Sequence, residues 1–303
     1  MIYIYFPFHK SVYSIHSFVI PMHYFIDSIY KTLNEHSYEV KMLTNPGQLY
    51  NHKLNKDDLL IINQNDFLHS FRSHCIPPKL EEYLYGIEKQ VILIVMEEME
   101  KRSKCHPPQI EQVKKKCIHS VWDFSEKNKR FYEPYNVNCL IVPNGYHPCV
   151  KWNKKLQKKD IDFFFYGSMG GKRDKIMNNL KLKGYNVVFK NCYEDEFIDN
   201  VTRTKIILII HRMDDEKSVD FYRLSCLLTN NVFVIHEDVD DEYIETQQKF
   251  DKIIYCPYDS MVDKAEHYLK MSQKKRNEIS NEISKWWVDN HHIKNYIPFD
   301  IFH

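Results

Sequence analysis

Three of the chain's seven glycines fall within five residues and mark a turn suited to binding an anion. Gly167, Gly170 and Gly171 follow the apolar run Ile161–Tyr166 and precede a segment with a helical pattern, 172–183. A strand, a tight turn and a helix N-terminus bring amide groups and the positive end of the helix dipole to one place. Glycine lets the backbone turn sharply and lets a ligand approach closely. The sequence therefore predicts an anion site, with a purely structural turn as the alternative.

Lys172 and Arg173 open the predicted helix, and their charge indicates phosphate as the anion. Basic side chains are mildly unfavourable at a helix N-terminus, so binding phosphate is their natural role. A Walker A loop needs four residues between its glycines and Ser or Thr after its Lys, whereas Gly167 and Gly171 enclose three. A dinucleotide fingerprint needs an acidic residue after the next strand, where this chain has Lys190. A GTPase-type loop and NAD binding are therefore disfavoured.

Polar side chains also follow two later strands, at the rim where the glycine turn is expected. His211 ends one apolar run, Arg223 and Ser225 lie in the helix after it, and Glu237 follows the next strand. Because the carboxyl ends of parallel strands meet at one edge of a sheet, these side chains should converge near the turn. Arginine suits phosphate and a carboxylate suits hydroxyl groups, so a diphosphate beside a ribose fits this mixture. For each residue taken alone, an ordinary solvated loop end is the alternative.

The elements that position these residues alternate along the chain. Strand-like runs are 2–7, 38–43, 59–63, 91–96, 120–122 and 139–142, then 161–166, 185–189, 205–210, 232–236 and 252–256. Helix-like runs are 19–36, 78–89 and 107–117, then 172–183, 194–203, 216–229, 241–248, 258–271 and 273–290. Such alternation is typical of parallel sheets covered by helices on both faces. The sequence predicts an α/β protein of two Rossmann-like domains that face each other across a cleft, joined by a linker at 143–160.

Composition limits the class of protein. With 303 residues and 43% hydrophobic content, the chain can support two cores. Its 42 basic and 41 acidic residues give a net charge of +1, which disfavours nucleic acid as a partner. Eight cysteines without a Cys-x-x-Cys pair predict reduced thiols in a cytosol-like compartment and disfavour zinc. No apolar run approaches the ~18 residues of a membrane helix, and the first residues lack a signal-peptide pattern, so neither is expected.

Several segments resemble glycosyltransferases of the GT-B fold. In the second half these are Asp162-Phe-Phe-Phe-Tyr-Gly-Ser, Ile206-Ile-Leu-Ile-Ile-His, the run from Arg223 to Asn231, and Val234-Ile-His-Glu. In the first half they are Val121-Trp-Asp-Phe-Ser-Glu-Lys-Asn and Val142-Pro-Asn-Gly-Tyr-His-Pro. The chain is most similar to poorly characterised members from giant viruses, algae and bacteria, and its AT-rich codon bias fits a giant virus of amoebae. Asn231 stands where the family usually has Gly, and Asn tolerates the same left-handed backbone.

The resemblance implies a nucleotide-sugar donor, expected to be a UDP-sugar, bound without metal or another cofactor. It implies a domain at 1–150 for the acceptor (a glycan, a protein or a small molecule), a donor domain at 151–272, and a C-terminal helix, 273–303, that packs back on the first domain. The donor-site candidates are Gly167, Ser168, Gly170, Gly171, Arg173, His211, Arg223, Ser225 and Glu237. Candidate bases for the acceptor proton are His9, Glu97, Glu98 and Asp123, which follow strands of the first domain.

Two other functions fit the same residues. A relic of this fold could bind a sugar nucleotide or a glycan without catalysis, since a fold does not fix a function. A sugar-nucleotide epimerase is the other alternative. Slow donor hydrolysis without acceptor separates a transferase from a relic, and a changed sugar without acceptor would indicate an epimerase. For a viral protein, the expected compartment is the host cytoplasm or the virion.

Overall fold

The computed structural model describes residues 1–6, 19–63, 83, 86–88, 90–95, 117–153, 157–192, 194–212, 218–240 and 244–302. The helices predicted at 78–89 and 107–117 lie largely outside this part of the chain. The candidate bases His9, Glu97 and Glu98 lie outside it as well.

The described part of the first half forms a six-stranded parallel sheet. Its strands are β1 (Ile2–Tyr5), β2 (Val40–Leu43), β3 (Leu59–Asn63), β4 (Val91–Ile94), β5 (Ile118–Asp123) and β6 (Cys139–Ile141), in the spatial order β2-β1-β3-β4-β5-β6. β3 pairs with β4 from Leu60 opposite Val91 to Asn63 opposite Ile94. Every residue of β4 is buried, as expected for an apolar strand in the middle of a parallel sheet.

Two helices of the described residues accompany this half, α1 (Val19–Glu35) and α2 (Pro46–Tyr50). In α1, Phe25, Ile29 and Leu33 repeat at intervals of four and are fully buried, so they form the apolar stripe of an amphipathic helix. Asn45 caps α2 by accepting a hydrogen bond from the backbone N–H of Gln48.

The second half forms a five-stranded parallel sheet. Its strands are β7 (Ile161–Tyr166), β8 (Val187–Lys190), β9 (Thr204–Ile209), β10 (Val234–Glu237) and β11 (Ile254–Cys256), in the spatial order β11-β10-β9-β7-β8. Ile207 of β9 lies between Phe164 of β7 and Val234 of β10. The carboxyl ends of β7, β9 and β10 therefore lie side by side, so the residues that follow these strands meet at one edge of the sheet.

Six helices of the described residues accompany the second sheet. They are α3 (Lys172–Leu182), α4 (Glu194–Arg203), α5 (Phe221–Thr229), α6 (Ile244–Lys249), α7 (Met261–Lys270) and α8 (Gln273–Asn290). Phe163 and Phe165 of β7 pack in one buried cluster with Met177 of α3 and Ala265 of α7. This packing fixes α3, and with it the glycine turn that precedes α3, on one face of the sheet.

α5 begins later than the sequence pattern predicts, at Phe221 instead of residue 216. Asp220 is the N-cap, and its side chain accepts a hydrogen bond from the backbone N–H of Arg223. A capping carboxylate satisfies an amide that has no partner within the helix, so the helix starts there.

The chain groups into two compact units. The first comprises Met1–His9, Ile29–Pro143 and Tyr296–His303, and the second comprises Lys10–Ser28 and Asn144–Asn295. In the first unit, the ring of Phe302 lies 6.0 Å from that of Trp122. Among the described residues, none of the helices has the length and apolar character needed to cross a bilayer.

Candidate functional site

The glycine turn connects β7 to α3 in the second unit. Gly167, Gly170 and Gly171 have φ angles of 140°, 115° and 64°, which residues with a side chain rarely adopt. The backbone N–H of Gly170 donates to Oδ1 of Asp174 at 2.8 Å. Gly171 is the N-cap of α3 and provides no side chain to cap it. An anion in the turn would therefore meet the first amides of α3 rather than that of Gly170.

Arg173 fastens the turn to the end of β9. Its side chain is buried, its Nε donates to the carbonyl of Ile210 at 2.8 Å, and its Nη1 donates to the carbonyl of Ser168 at 3.2 Å. The guanidinium also lies over the ring of Phe165, 5.1 Å from the centroid. Carbonyl and ring contacts thus hold the Arg173 guanidinium at the turn.

Arg223 approaches the same turn from α5. Its guanidinium lies 5.9 Å from the ring centroid of Phe165 and 5.6 Å from that of Tyr166. Nη1 is paired with Oδ2 of Asp220, and the backbone N–H donates to Oδ1 at 3.0 Å. Burial raises the pKa of Asp220, but the Arg223 charge and this N–H outweigh burial, so the pKa lies below its usual value. The structure thus brings Arg223 to the glycine turn and holds it with a carboxylate.

A second buried ion pair lies at the end of β10. Oε1 of Glu237 is paired with Nζ of Lys172, and both side chains are less than a tenth exposed. The Lys172 ammonium lies 4.8 Å from the ring centroid of Tyr258, whose hydroxyl donates to the Lys172 carbonyl at 2.9 Å. Oε2 of Glu237 accepts the backbone N–H of His211 at 2.9 Å. Burial raises the pKa of Glu237, but the bonds from His211 and Lys172 outweigh burial and lower it. Both oxygens of this candidate ligand for hydroxyl groups are therefore engaged within the protein.

His211 is part of this internal network. Its Nε2 lies 2.9 Å from the carbonyl of Ser218 and must donate, because a carbonyl only accepts. Its Nδ1 lies 3.5 Å from Oε2 of Glu237 and makes no hydrogen bond. A ligand would meet His211 only after one of these contacts changed.

Ser225 packs within the second unit. Its hydroxyl is fully buried and donates to the carbonyl of Gly145 at 2.7 Å, which ties α5 to the start of the second unit. Ser168 is half-buried in the turn, and its carbonyl accepts from Arg173.

Asp123, the candidate base that the structure describes, is fully buried at the end of β5. Oδ1 accepts the backbone N–H of Ser125 and the amide of Asn128, each at 2.9 Å, and Oδ2 accepts the hydroxyl of Tyr132 at 3.2 Å. Burial raises the pKa of Asp123 to about 7, although these hydrogen bonds oppose the shift. The carboxylate organises the loop after β5, and contact with an acceptor would require that loop to move.

His236 and Asp220 are not among the donor-site candidates that the sequence predicts. His236 is fully buried between the ends of β9 and β11, with ring centroids 5.4 Å from both His211 and Tyr255. Burial and the neighbouring His211 lower the pKa of His236 to about 4. The apolar residues Val234 and Ile235 that precede His236 in the predicted strand are the sequence signal that indicates such burial.

In the described residues, no group of three or more His, Cys, Asp or Glu side chains is placed to hold a metal ion. The positive charge in the described part of the site comes from Lys172, Arg173 and Arg223.

No family model matches the chain. The Uncharacterized protein L138 of Acanthamoeba polyphaga mimivirus is 25% identical over 156 residues, which is 47% of this chain and 18% of the viral protein. The match spans far less than two thirds of that protein, so its activity and partners do not carry over. An origin in a giant virus stays a prediction.

Three solved structures share the fold. TarM has a TM-score of 0.50 and 11% identity, over 82% of this chain and 55% of TarM. The UDP-forming alpha,alpha-trehalose-phosphate synthase of Burkholderia vietnamiensis has a TM-score of 0.51 and 10% identity, over 82% of this chain and 75% of the synthase. The alpha,alpha-trehalose 6-phosphate synthase of Burkholderia multivorans has a TM-score of 0.50 and 10% identity, over 97% of this chain and 77% of the synthase.

At such identities the likeness concerns the fold alone. The predicted α/β class with two parallel sheets is confirmed, and it is consistent with the GT-B glycosyltransferase fold. Which substrates bind to these sheets is a separate question, since one fold hosts many functions.

Proposed function

We propose that the chain is a glycosyltransferase that moves a sugar from a nucleoside-diphosphate sugar to an acceptor. The observation that carries the proposal is the gathering of Lys172, Arg173 and Arg223 around the glycine turn, at the carboxyl edge of the second sheet. Ligands of open α/β sheets bind at this edge. The donor is expected to be a UDP-sugar, and one neighbour of the same fold is by name a UDP-forming synthase.

The chemistry requires stabilisation of a departing diphosphate. As the bond to the anomeric carbon breaks, negative charge grows on the phosphate oxygens and positive character grows on the sugar. The amides that open α3 and the guanidinium groups of Arg173 and Arg223 would meet the phosphates. Because these groups supply positive charge within the protein, the proposed mechanism uses no metal.

Two carboxylates hold the cations before a donor binds. Lys172 is paired with Glu237, and Arg223 is paired with Asp220. A diphosphate would share these cations with the carboxylates, and Arg173 would add its charge from its place at the turn. We therefore assign Arg173 and Arg223 to the diphosphate, and Glu237 to the positioning of Lys172 and His211 as well as to the predicted hydroxyl groups.

The acceptor side belongs to the first unit in this proposal. His9, Glu97, Glu98 and Asp123 remain the candidate bases, and the acceptor can be a glycan, a protein or a small molecule. The proposal includes a cytosol-like compartment, as the unpaired cysteines predict.

Calorimetric titration of UDP, GDP, ADP and dTDP tests the proposal, followed by donor hydrolysis assays with the matching nucleotide sugars. Arg173→Lys should weaken diphosphate binding, because lysine cannot bridge two carbonyls and a phosphate at once. Arg276→Lys is the matched control, since Arg276 is also buried and also donates to backbone carbonyls, those of Leu269 and Tyr268 at the end of α7.

The outcomes separate the three functions. Binding with slow hydrolysis supports a transferase, binding without turnover supports a relic, and an altered sugar without acceptor supports an epimerase. Absence of binding to all four diphosphates in the folded parent protein would refute the transferase, the epimerase and a relic that binds a sugar nucleotide, and would leave a glycan-binding relic.

A further inference from the structure

His236, in the last half of β10, uses both ring nitrogens for backbone hydrogen bonds. Its Nδ1 contacts the carbonyl of Glu237, and its Nε2 lies 3.0 Å from the backbone nitrogen of Asp220. A carbonyl only accepts, so Nδ1 carries the proton, and a backbone N–H only donates, so Nε2 is unprotonated. With these two partners, the ring of His236 is neutral and carries its proton on Nδ1.

Asp220, the partner of Nε2, holds Arg223 in two ways. Its Oδ1 accepts the backbone N–H of Arg223 at 3.0 Å, and its Oδ2 is paired with Nη1. A continuous chain of hydrogen bonds thus runs from the end of β10 through His236 and Asp220 to Arg223. The guanidinium at the end of this chain lies against Gly167 of the turn.

We propose that His236 is a positioning residue for diphosphate binding, which fixes the N-cap of α5 and thereby aims the guanidinium of Arg223 at the glycine turn. The proposal rests on the proposed function for the identity of the ligand. His236 itself is fully buried and is not expected to touch the ligand.

The surroundings of the ring explain why it can hold the N-cap in place. His211 and Tyr255 flank it, each with ring centroids 5.4 Å away, and Asp220 and Glu237 provide its two backbone partners. Since the ring is packed on two sides, it cannot rotate away from Asp220 without disturbing the core. An ordinary core residue would fill the same space but would provide no acceptor for the Asp220 N–H.

A double-mutant cycle on UDP affinity tests the proposal. His236→Phe keeps an aromatic ring and removes the acceptor, so UDP affinity should fall about five- to tenfold, while uridine affinity stays unchanged. In the Arg223→Ala background the same change should have no further effect on affinity, because it acts through Arg223. His236→Gln offers an acceptor oxygen near the position of Nε2 and should restore much of the loss.

His291→Phe is the matched control. His291 is also buried in the second unit, its pKa is also lowered to about 4 by burial, and its ring is stacked 5.1 Å from that of Trp287. This change should alter stability but not UDP affinity. Equal losses of UDP and uridine affinity in His236→Phe, or a full additional loss in the Arg223→Ala background, would overturn the positioning role.

Nuclear magnetic resonance of the ligand-free protein tests the arrangement independently of the proposed function. The ¹⁵N shifts of His236 should show a protonated Nδ1 and an unprotonated Nε2 at neutral pH. His236→Phe should shift the signals of the Asp220 amide and the Arg223 Nε–H, and His236→Gln should restore them. A protonated Nε2 would refute the proposal even if UDP binds, whereas failure of every diphosphate to bind would refute only the function.

Discussion

The guanidinium of Arg223 lies in the space that a side chain at position 167 would need. A Cβ atom added to Gly167 would come within 2.9 Å of Nη2 of Arg223 and 3.3 Å of the Phe165 ring. Gly167 also has a φ of 140°. A glycine is therefore required at position 167 for two reasons. A side chain disfavours the φ angle of this residue, and Arg223 occupies the space that a side chain would need.

Gly167→Ala should lower both stability and diphosphate affinity, because the methyl group strains the backbone and displaces Arg223. Gly184→Ala is the control, since Gly184 has a φ of 89° but no heavy atom within 4 Å of an added Cβ. The control should cost only the backbone penalty, about 1–2 kcal/mol. Denaturant unfolding and UDP titration of both variants measure the difference. If Gly167→Ala and Gly184→Ala change UDP affinity equally, the position of Arg223 does not depend on Gly167.

Arg223→Ala should weaken binding of nucleoside diphosphate by about ten- to a hundredfold, the value of about one charge-assisted hydrogen bond. Free nucleoside should lose far less, because it has no phosphate for the guanidinium to bind. Arg203→Ala is the control, since Arg203 pairs with Asp160 at the surface of the same unit. If diphosphate and nucleoside bind to Arg223→Ala as well as to the parent, Arg223 serves only to pair with Asp220.

The fold could be predicted from the sequence because apolar runs and helical periods are local signals. All eleven described strands coincide with predicted runs, with shifts of at most two residues at their ends, such as Val187–Lys190 against 185–189. The start of α5 was predicted too early, because the cap by Asp220 depends on side-chain geometry rather than on the apolar period.

The candidate site could be predicted only in part. Polar residues at strand ends indicate the edge of the sheet, and the structure brings the glycine turn, Arg173, Arg223, His211 and Glu237 together there. The partner of each charge depends on contacts between residues far apart in sequence, as for Lys172 with Glu237. The burial of Ser225 against Gly145 is a contact of the same kind, which no local pattern encodes.

Asp123→Asn should change the dependence of stability on pH. The pKa of Asp123 is raised to about 7 from 3.8, so the folded state binds this proton more tightly than the unfolded state does. Its contribution to stability is complete below pH ~4 and is lost as the pH rises through 7, by on the order of 4 kcal/mol. Asparagine does not titrate, so the variant should gain stability over the parent across this range.

Chemical denaturation at pH 4, 5.5, 7 and 8 measures this difference. Asp160→Asn is the control, because the pKa of Asp160 is lowered by its bond with Arg203 and Asp160 therefore stays ionised at these pH values, so its difference from the parent should be nearly constant across them. If the free energy of unfolding of Asp123→Asn differs from that of the parent by the same amount at all four pH values, Asp123 is ionised throughout.

Removal of metal should leave diphosphate binding unchanged. The proposed mechanism assigns the phosphate charge to Lys172, Arg173, Arg223 and the N-terminus of α3 and not to a metal ion. Titration of UDP in EDTA should therefore give the affinity measured in buffer alone. A strong and specific increase with Mn²⁺ would contradict the metal-free mechanism.

Lys172→Met should destabilise the protein by about 3–5 kcal/mol, because it leaves the Glu237 carboxylate buried without its partner. Lys172→Met combined with Glu237→Leu removes both charges and should recover much of that stability. Lys183→Met is the control, since Lys183 pairs with Glu266 at the surface and should cost less than ~1 kcal/mol. Unfolding and UDP titration then separate two roles of Lys172. If the double variant is stable but binds UDP weakly, Lys172 or Glu237 also serves binding of the ligand; if its affinity equals that of the parent, the buried pair serves the fold alone.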